Sequence, residues 1–515
     1  MASISFEGSD ASRRVNWAVI GPWALFCGAL ALAAQVIYPN EDAAILFRYA
    51  VNLSQTGVIS YNPGGAPAEG ATDFLFMVAI AALNWLGLTP ILAAHALNAA
   101  AFLVILALLN RVSPLDLFTG IGVTAAFVAM APFAAAVAGF SVFVFSAAIL
   151  AACVFALERN VLPFSMAALA CCLIRPDGFV FAAPLTLFMI WQLRRAPRGY
   201  LTLLGALVLP GIAYFLWRWW YFGDFLPLPF YVKAEVTRNI LGLFYSGSIA
   251  DLLRMAGPLL VGMMASLVAA RRGRLPAGRF LPVLATVALP ALAFYMSMHL
   301  IQNLGNRFLA FIPLLAVFAV TLIAERWLRL AFLAALTMVL IPGAGKDFRY
   351  LSQDSNDHYI ARAIGGLDND ITMAVTEAGH LALGSGAHVT DLWGLNTRDF
   401  ARLPATGADV EGQAYDLIVM HYPGTYSCQA MRARHAALYA SGVRQRDEIA
   451  RRDWTLMVEG VLTGLNPNAY ALYRVPAFRP SDGRYFMYLI AEDRPNAQAL
   501  ARIVTGNNGV PCPEM

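Results

Sequence analysis

A short polar stretch after the first apolar run carries the residues that are best suited to chemistry. Asn40, Glu41 and Asp42 open this stretch, and Arg48 and Tyr49 follow. Charged groups are costly to place beside hydrocarbon, so their presence at the end of a membrane-length segment indicates a functional site. A carboxylate at the edge of a bilayer can accept the proton of a hydroxyl group. We therefore expect the chemistry of this protein in the loop over residues 39–72.

The first part of that loop is predicted to be a helix. Apolar side chains recur there at helical spacing, and Gly57 stands where a helix would end. A short amphipathic helix lying along the membrane surface fits this pattern. Consecutive helical residues do not share a face, so Glu41 and Asp42 are not expected to face one small site together. Asp42 shares the apolar stripe with Tyr49 and is the candidate catalytic carboxylate. The alternative is that Asp42 or Asn40 only caps the helix.

The composition is that of a polytopic membrane protein. Of the 515 residues, 59% are hydrophobic and 13% are charged, whereas about a quarter of the residues in soluble domains are charged. The net charge is only +4 and the basic residues stand in short clusters, so we expect no nucleic-acid partner. No Gly-rich phosphate loop is present, which argues against direct use of a nucleotide sugar in the cytoplasm.

About twelve apolar segments are long enough, or nearly so, to span a bilayer. Three clusters of charged, mainly basic residues mark inside loops by the positive-inside rule. They are Arg194, Arg195 and Arg198, then Arg271, Arg272 and Arg274, then Glu325, Arg326 and Arg329. With the N-terminus inside, residues 39–72 lie outside, and an odd number of crossings must bring the chain back inside by Arg194. An even number of candidate segments lies in that interval, so one of them must fail to cross. The segment 73–88 and the broken pair at Arg175-Pro176 are the candidates. We expect about eleven transmembrane helices within residues 1–344.

Residues 345–515 are predicted to form a soluble α/β domain outside the cytoplasm. Short apolar runs at 416–421, 469–474 and 485–490 are typical of strands, and 428–444 has helical composition. The size of about 170 residues is ordinary for a domain. Of six cysteines, Cys428 and Cys512 lie in this domain, without a CxxC pair or a Cys/His cluster. They are candidates for a disulfide if the domain is outside.

Several motifs occur in an order that resembles a known family. In chain order they are Glu41-Asp42-Ala43-Ala44-Ile45 with Arg48-Tyr49-Ala50 and Asn52-Leu53, Tyr61-Asn62-Pro63-Gly64, Glu69-Gly70-Ala71-Thr72-Asp73, Arg175-Pro176-Asp177-Gly178, Gly223-Asp224 with Tyr231 and Lys233, Asn306-Arg307-Phe308, Glu377-Ala378-Gly379 and Asp391-Leu392-Trp393-Gly394-Leu395-Asn396. This order resembles the GT-C superfamily of membrane glycosyltransferases, specifically the branch of the cell-wall terminal arabinofuranosyltransferases. The sequence departs from that branch at Glu41, where Asp is usual, and at Ala138-Gly139-Phe140-Ser141-Val142, which lacks the acid of the family's segment.

The resemblance implies transfer of a sugar, with arabinofuranose expected, from a polyprenyl-phosphate donor. The acceptor would be an envelope glycan, a glycolipid or a protein on the outer face of a bacterial inner membrane. Asp42 would deprotonate the acceptor hydroxyl in an inverting reaction, and Glu41 or Glu69 would participate in a retaining one. Cations would stabilise the leaving phosphate, and the candidates are Arg307, Lys233, His299 and Arg175. Candidates for substrate binding are Arg48, Tyr49, Tyr61, Asn62, Glu69, Tyr231 and Asp391.

Structural alternatives exist for most of these residues. Arg175 and Asp177 would form an ion pair at a helix break, Arg307 and Lys233 would anchor or snorkel at the interface, and Asp391 would organise a loop. A divalent cation held by the acidic loop is an open alternative. Two other classes of function are a transporter or flippase of a lipid-linked sugar and a noncatalytic polysaccharide-binding scaffold. The absence of paired, matching halves argues against a transporter.

Overall fold

The structure is a computed structural model, and it describes residues 16–194, 196–237, 246–298, 300, 303–367, 370–421, 427–445, 449, 454–479 and 481–513. His299, one of the predicted phosphate-binding cations, lies outside the described residues. Arg195, which belongs to one of the predicted inside loops, also lies outside them.

The first two thirds of the chain are helical. The α-helices are α1 (Trp17–Ala33), α2 (Glu41–Thr56), α3 (Phe74–Trp85), α4 (Pro90–Val112), α5 (Leu117–Ala129), α6 (Ala131–Val137), α7 (Val142–Glu158), α8 (Val161–Ile174), α9 (Phe179–Gln192), α10 (Pro197–Leu203), α11 (Leu209–Phe222), α12 (Leu228–Thr237), α13 (Ser246–Arg254), α14 (Ala256–Arg272), α15 (Ala277–Ser297), α16 (Phe311–Thr321) and α17 (Arg326–Leu351). Short 3-10 helices at Pro176–Gly178 and Leu304–Leu309 precede α9 and α16. A π-helical turn at Leu204–Val208 joins α10 to α11.

The predicted count of about eleven transmembrane helices is not confirmed. Among the described residues, five helices are long and apolar enough to cross a membrane, or seven if each of two bent pairs is one span. The bends explain part of the difference, since α5 and α6 meet at 76° and neither is long enough alone. Other apolar helices, including α1, α7 and α8, have 17 residues or fewer.

Helix α3 packs against α2 and also against α4 and α8. Ser54 near the end of α2 donates to Asn84 near the end of α3 at 2.6 Å, and Ser141 donates to Asp73 at the start of α3 at 2.6 Å. The 12 residues of α3 extend about 18 Å, against a hydrocarbon core of about 30 Å. The short length is compatible with the prediction that the segment 73–88 does not cross.

One end of the helical part carries several arginines, and we call it the basic end. There Arg274 donates to the Ser113 hydroxyl at 2.9 Å and Arg329 pairs with Asp116 at 3.4 Å. Helix α17 starts there, and its 26 residues carry the chain about 39 Å away. The C-terminal domain begins where α17 ends, so the helix passes the boundary predicted at residue 345. The two basic loops at 271–274 and 325–329 therefore lie at the end opposite the C-terminal domain.

The C-terminal domain is an α/β unit built on a six-stranded sheet. Its strands are β1 (Asp354–Ser355), β2 (Thr372–Val375), β3 (His388–Asp391), β4 (Leu417–His421), β5 (Tyr470–Pro476), β6 (Phe478–Arg479), β7 (Tyr485–Ala491) and β8 (Val510–Pro511). Its helices are α18 (Asn356–Ile364), α19 (His380–Ser385), α20 (Arg398–Arg402), α21 (Gly407–Glu411), α22 (Cys428–Ala440), α23 (Trp454–Leu462) and α24 (Ala497–Gly506). The predicted strands at 416–421, 469–474 and 485–490 correspond to β4, β5 and β7.

The sheet has the strand order β3-β2-β4-β7-β5-β8, and β1 pairs separately with β6. Strand β2 runs parallel to β3 and β4, whereas β7 is antiparallel to β4 and β5. The register aligns Val375 with Asp391 and with Val419. Both faces are covered, because Leu417 packs in one apolar cluster and Ile418 in another. The carboxyl ends of β2, β3 and β4 therefore share one edge.

A disulfide bond links helix α22 to the chain after β8 in this domain. Cys428 at the start of α22 is bonded to Cys512 after β8, with the two Cα atoms 5.0 Å apart and a sequence separation of 84. The four cysteines of the helical part, Cys27, Cys153, Cys171 and Cys172, are free thiols.

Candidate functional site

A cavity of about 530 Å³ lies between the helical part and the C-terminal domain. The loop over residues 39–72 and the membrane helices form one wall, and the ends of strands β2, β3 and β4 contribute to the other. The polar and aromatic residues that line it include Asn40, Glu41, Asp42, Lys233, Tyr350, Asp357, Glu377, His380, Asp391, Trp393, His421, Arg484 and Phe486. Cavities of this size that carry a few polar groups are typical ligand sites.

Asp42 lies in the first turn of α2 and faces this cavity. Asn40 caps the helix, because its side-chain oxygen accepts a hydrogen bond from the Asp42 backbone N–H at 3.1 Å. The Asp42 carboxylate is therefore not consumed in capping. It accepts a hydrogen bond from Arg307 Nη2 at 3.1 Å, and its side chain remains 21% exposed. A partly accessible carboxylate thus stands on the cavity wall with a cation behind it.

Arg307 is positioned by a backbone kink at the start of α16. Gly305 and Asn306 both adopt left-handed conformations, with φ of 62° and 49°. A side chain at Gly305 would meet the carbonyl oxygen of Ala131 at 2.7 Å. The guanidinium lies 3.8 Å from the ring centroid of Phe140. Nε and Nη1 of Arg307 are buried and have no hydrogen-bond partner among the described residues. Arg307 lines a separate small void together with Arg175, and it does not line the cavity itself.

Lys233 lines the same cavity from helix α12. Burial lowers the pKa of its ammonium group, while the charge of Asp42 raises it and the charge of Arg307 lowers it further. Lys233 is thus electrostatically coupled to both members of the Asp42–Arg307 pair. Helix α12 packs against α20 of the C-terminal domain, so the position of this lysine depends on both parts of the protein.

Glu41 binds the C-terminal domain. Its carboxylate accepts hydrogen bonds from the backbone N–H groups of Gly379 and His380, the second at 3.0 Å, and lies 2.7 Å from His380 Nδ1. Burial alone would raise the pKa of Glu41, but the charge and hydrogen bonds of His380 hold it below its usual value. In return, Glu41 outweighs the effect of burial and raises the pKa of His380 to about 9. Contrary to expectation, Glu41 and Asp42 both line the cavity, because the cavity extends over two faces of helix α2.

Three predicted substrate-binding residues fasten the loop to the C-terminal domain. Arg48 donates to the carbonyl oxygens of Tyr61 and Ala387 at 3.0 and 2.8 Å. The Tyr61 hydroxyl donates to the carbonyl oxygen of Ala378 at 2.6 Å. Asn62 exchanges two hydrogen bonds with the backbone of Val389, both at 2.9 Å. The structure places all three outside the lining of the cavity.

Tyr49 and Glu69 are also outside that lining. The buried Tyr49 hydroxyl accepts a hydrogen bond from the Gly70 N–H at 3.1 Å. Glu69 pairs with Arg218, whose Nε lies 2.9 Å from Oε2, and both side chains are almost fully buried. Tyr231 accepts a hydrogen bond from the Leu226 N–H at 3.2 Å. These residues hold the end of the loop against α11 and the chain leading to α12.

Arg175 forms the structural ion pair that the sequence left as an alternative. Two hydrogen bonds of 2.9 and 2.8 Å join it to Asp177, which also accepts one from the Tyr295 hydroxyl at 2.7 Å. Its guanidinium lies 4.8 Å from the ring centroid of Phe308, the residue after Arg307. Arg175 thus packs next to the Arg307-Phe308 segment and does not line the cavity that contains Asp42.

Asp391 ends strand β3 and organises the loop that follows. Its carboxylate accepts hydrogen bonds from the backbone N–H groups of Trp393, Gly394 and Asn396 at 2.9 to 3.3 Å. Burial raises the pKa of Asp391 to about 6. Asp391 lines the cavity, but its oxygens are largely used within its own loop, which presents Trp393 to the cavity.

Sequence reasoning did not assign a role to Glu377, His380 or His421. Glu377 Oε1 lies 3.2 Å from His421 Nδ1, and both side chains line the cavity. For these residues the sequence offers one signal, the Glu377-Ala378-Gly379 motif, and this motif does not by itself indicate a role. In the part of the chain that the structure describes, no group of three or more His, Cys, Asp or Glu residues is arranged to hold a metal ion.

The fold and the cavity together define a class of protein, namely a polytopic membrane protein with a C-terminal α/β domain over a cavity at the junction. Two solved structures of ArnT from Cupriavidus metallidurans share this fold. The apo structure aligns with a TM-score of 0.55 at 12% identity, and the one bound to undecaprenyl phosphate with 0.57 at 13%, each covering 85% of this chain and 96% of ArnT. At this identity the likeness establishes the fold alone.

The arabinosyltransferase branch is not confirmed. EmbB from Mycobacterium smegmatis aligns with a TM-score of only 0.37 at 14% identity, over 70% of this chain and 33% of that chain. No protein-family model and no curated protein sequence matches the chain.

Proposed function

We propose that this protein is an integral membrane glycosyltransferase of the GT-C type that uses a polyprenyl-phosphate sugar donor. The observation that carries the proposal is Asp42 on the wall of a cavity at the domain junction, with Lys233 beside it and Arg307 bonded behind it. The fold shared with ArnT, one structure of which contains undecaprenyl phosphate, supports a lipid-phosphate donor.

The two cations are assigned to the phosphate of the donor. Arg307 donates to Asp42 through Nη2, and its other two nitrogens are buried without a partner among the described residues. Because Arg307 does not line the cavity, we assign its effect on the phosphate to its charge, acting through Asp42 without direct contact. Lys233 adds a second positive charge from the cavity side. Together they would stabilise the charge that develops on the phosphate as the glycosidic bond breaks.

Asp42 is assigned as the base. It would accept the proton of the acceptor hydroxyl while that oxygen attacks the anomeric carbon of the donor sugar and the bond from this carbon to the phosphate oxygen breaks. A retaining mechanism would need a second carboxylate as nucleophile. Glu41 is engaged by His380 and Gly379, and Glu69 is paired with Arg218 outside the cavity. Their engagement favours a single, inverting displacement.

The sugar and the membrane topology follow from the sequence motifs and the basic loops. We assign arabinofuranose as the sugar and an envelope glycan, glycolipid or protein as the acceptor. We place the protein in a bacterial inner membrane with the basic end in the cytoplasm, about eleven crossings, and the C-terminal domain outside. The separation of the basic loops from that domain supports this orientation.

The test is transfer by the Asp42→Asn variant in membranes supplied with undecaprenyl-phosphate-linked arabinofuranose. Loss of a general base costs about 10²- to 10⁴-fold in rate, so we expect transfer to fall by at least about 100-fold while binding of undecaprenyl phosphate is kept. The control is Glu158→Gln, which removes a carboxylate that pairs with Arg111 and is distant from the cavity. Unchanged turnover in Asp42→Asn would contradict the assignment of the base.

A further inference from the structure

The C-terminal domain directs the carboxyl ends of its three parallel strands into the cavity. Strand β2 ends before Thr376 and Glu377, β4 ends at His421, and β3 ends at Asp391, which precedes Trp393. Each of these residues lines the cavity. In open α/β sheets, ligands bind outside the carboxyl ends of the strands. The domain therefore supplies a binding edge to the same cavity that contains Asp42.

Glu377 and His421 form a fixed polar pair on this edge. Glu377 Oε1 lies 3.2 Å from His421 Nδ1, and the two side chains are 20% and 32% exposed. The backbone N–H of His421 donates to the Thr376 hydroxyl at 2.8 Å, which fixes the two strand ends relative to each other. The ring of Phe486 packs against the His421 imidazole with centroids 5.2 Å apart. The pair is thus held by its surroundings and accessible from the cavity.

The remainder of this edge is aromatic and acidic. Trp393, Phe478 and Phe486 line the cavity together with Asp391 and Glu377. Aromatic surfaces bind the apolar faces of cyclic polyols, and a carboxylate beside an imidazole offers an acceptor and a donor for hydroxyl groups. The acidic side chains disfavour an anionic ligand on this wall. Two cations of the C-terminal domain also line the cavity, but each is paired with a carboxylate, Arg484 with Asp482 and His380 with Glu41. A neutral carbohydrate matches this combination, whereas a phosphate matches the cationic side at Lys233.

We propose that the carboxyl edge of β2, β3 and β4 binds the carbohydrate portion of the acceptor, with Glu377 and His421 hydrogen-bonded to its hydroxyl groups and Trp393 against its ring. This inference rests on the proposed function and deepens it by dividing the cavity between two substrates. The donor phosphate occupies the membrane side, and the acceptor enters from the C-terminal domain. Glu377 and His421 position the acceptor, and Asp42 takes its proton.

The first test measures steady-state transfer by Glu377→Gln and His421→Gln. Loss of a charged hydrogen bond to the substrate predicts an acceptor KM raised about tenfold, with the donor KM unchanged. Glu411→Gln and His388→Gln are the matched controls, because both side chains are exposed in the same domain and His388 begins β3 at the opposite edge of the sheet. An increase in donor KM in the two variants, or an unchanged acceptor KM, would overturn the proposal.

The second test does not require transfer. Saturation-transfer NMR on the full chain in nanodiscs would measure binding of methyl glycosides of arabinofuranose, galactose, glucose and mannose without any donor. We expect at least one glycoside to bind the native protein and to lose that binding in Glu377→Gln but not in Glu411→Gln. Binding of none of them, or equal binding by both variants, overturns the acceptor site. Failure of the proposed function is recognised separately, by glycoside binding without any transfer from the donor.

Discussion

Glu41 and Asp42 are neighbours in the chain, but their carboxylates have different partners and therefore different tasks. Glu41 is held by His380 and by backbone N–H groups of the C-terminal domain. Asp42 has Arg307 behind it and the cavity in front. The two side chains are almost equally exposed, at 20% and 21%, so the difference lies in their partners. Both oxygens of Glu41 accept hydrogen bonds from the C-terminal domain, which leaves that carboxylate poorly suited to accept a proton. We therefore assign the base to Asp42 and a positioning role to Glu41.

The pair of Glu41 and His380 makes stability depend on pH. The pKa of His380 is raised to about 9 from 6.5, so the contribution of its protonated form is complete below pH 6.5 and is lost as pH rises through about 9. A shift of this size corresponds to about 3 kcal/mol. The pKa of Glu41 is lowered, so its contribution is lost as pH falls through the folded value.

Glu41→Gln is accordingly expected to lower the Tm of the protein in detergent at pH 7, and to lower it much less at pH 10. Thermal unfolding followed by circular dichroism measures both values. Glu492→Gln, which changes an exposed carboxylate of the same domain, serves as control and should show no difference between the two pH values. A gap between wild type and Glu41→Gln that stays constant from pH 7 to pH 10 would show that His380 is not the stabilising partner.

Lys233→Gln tests the cationic side of the cavity. Removal of a charge that contacts the phosphate is expected to weaken binding of undecaprenyl phosphate by about tenfold or more. Binding is measured by the shift in Tm when the lipid is added. Arg502→Gln removes an exposed cation of helix α24 and should leave the lipid-induced shift unchanged. Equal shifts in wild type and Lys233→Gln would remove this lysine from the donor site.

At the scale of elements, the site depends on short irregular segments between membrane helices. The left-handed pair Gly305 and Asn306 turns the chain so that Arg307 reaches Asp42, which is 265 residues away in sequence. Helix α2 likewise starts at a polar cap and presents Asp42 in its first turn. Irregular backbone at membrane depth is tolerated where protein buries it, and here it positions both members of a charge pair.

Gly305→Ala is therefore expected to reduce activity strongly without removing any charged group. The new methyl group would meet the carbonyl oxygen of Ala131, and φ of 62° is strained for any residue with a Cβ atom. Relief of the clash would displace Arg307. Transfer activity and the amount of folded protein in membranes are the two measurements.

Gly343→Ala is the control for this change, because a Cβ at that helical position meets nothing within 4 Å. It should preserve transfer and slightly stabilise helix α17. Normal transfer in Gly305→Ala would mean that the kink does not govern the position of Arg307.

At the scale of the whole molecule, the cavity exists only because two parts of the chain are packed together. Arg48, Tyr61 and Asn62 fasten the loop to the C-terminal domain at three separate backbone positions. Glu41 adds a fourth attachment beside the cavity itself. A rearrangement between the two parts would separate Asp42 from Glu377, so we expect the relative placement of the domains to affect transfer directly.

The bond between Cys428 and Cys512 allows the side of the membrane to be tested. In cells, a maleimide reagent applied after denaturation should label these two cysteines only when a reductant is added first, because disulfides persist outside the cytoplasm. Cys428→Ser should lower the stability of the C-terminal domain by about 2–4 kcal/mol, and Cys27→Ser, which removes a free thiol, should not. Labelling of all six cysteines without reductant would place the domain in the cytoplasm.

Several features follow from local sequence alone. The cap at Asn40 and the end of α2 at Gly57 are set by the side chains and backbone freedom of those two residues. Strands β4, β5 and β7 follow from apolar runs of five to seven residues. Apolar length identifies candidate membrane helices, but the contacts of the 12-residue helix α3 with α2 and α4 come from the folded chain.

Tertiary structure alone decided which residues meet. The partners that Glu41, Asp42 and Arg48 find in His380, Arg307 and Ala387 lie 265 to 339 residues away, and no local pattern determines such pairings. The pairing of Glu377 with His421 likewise depends on strands β2 and β4 lying side by side in the folded sheet. Hydrophobic length and capping act over a few residues and are readable in sequence. Charge pairing acts through space and requires the folded chain.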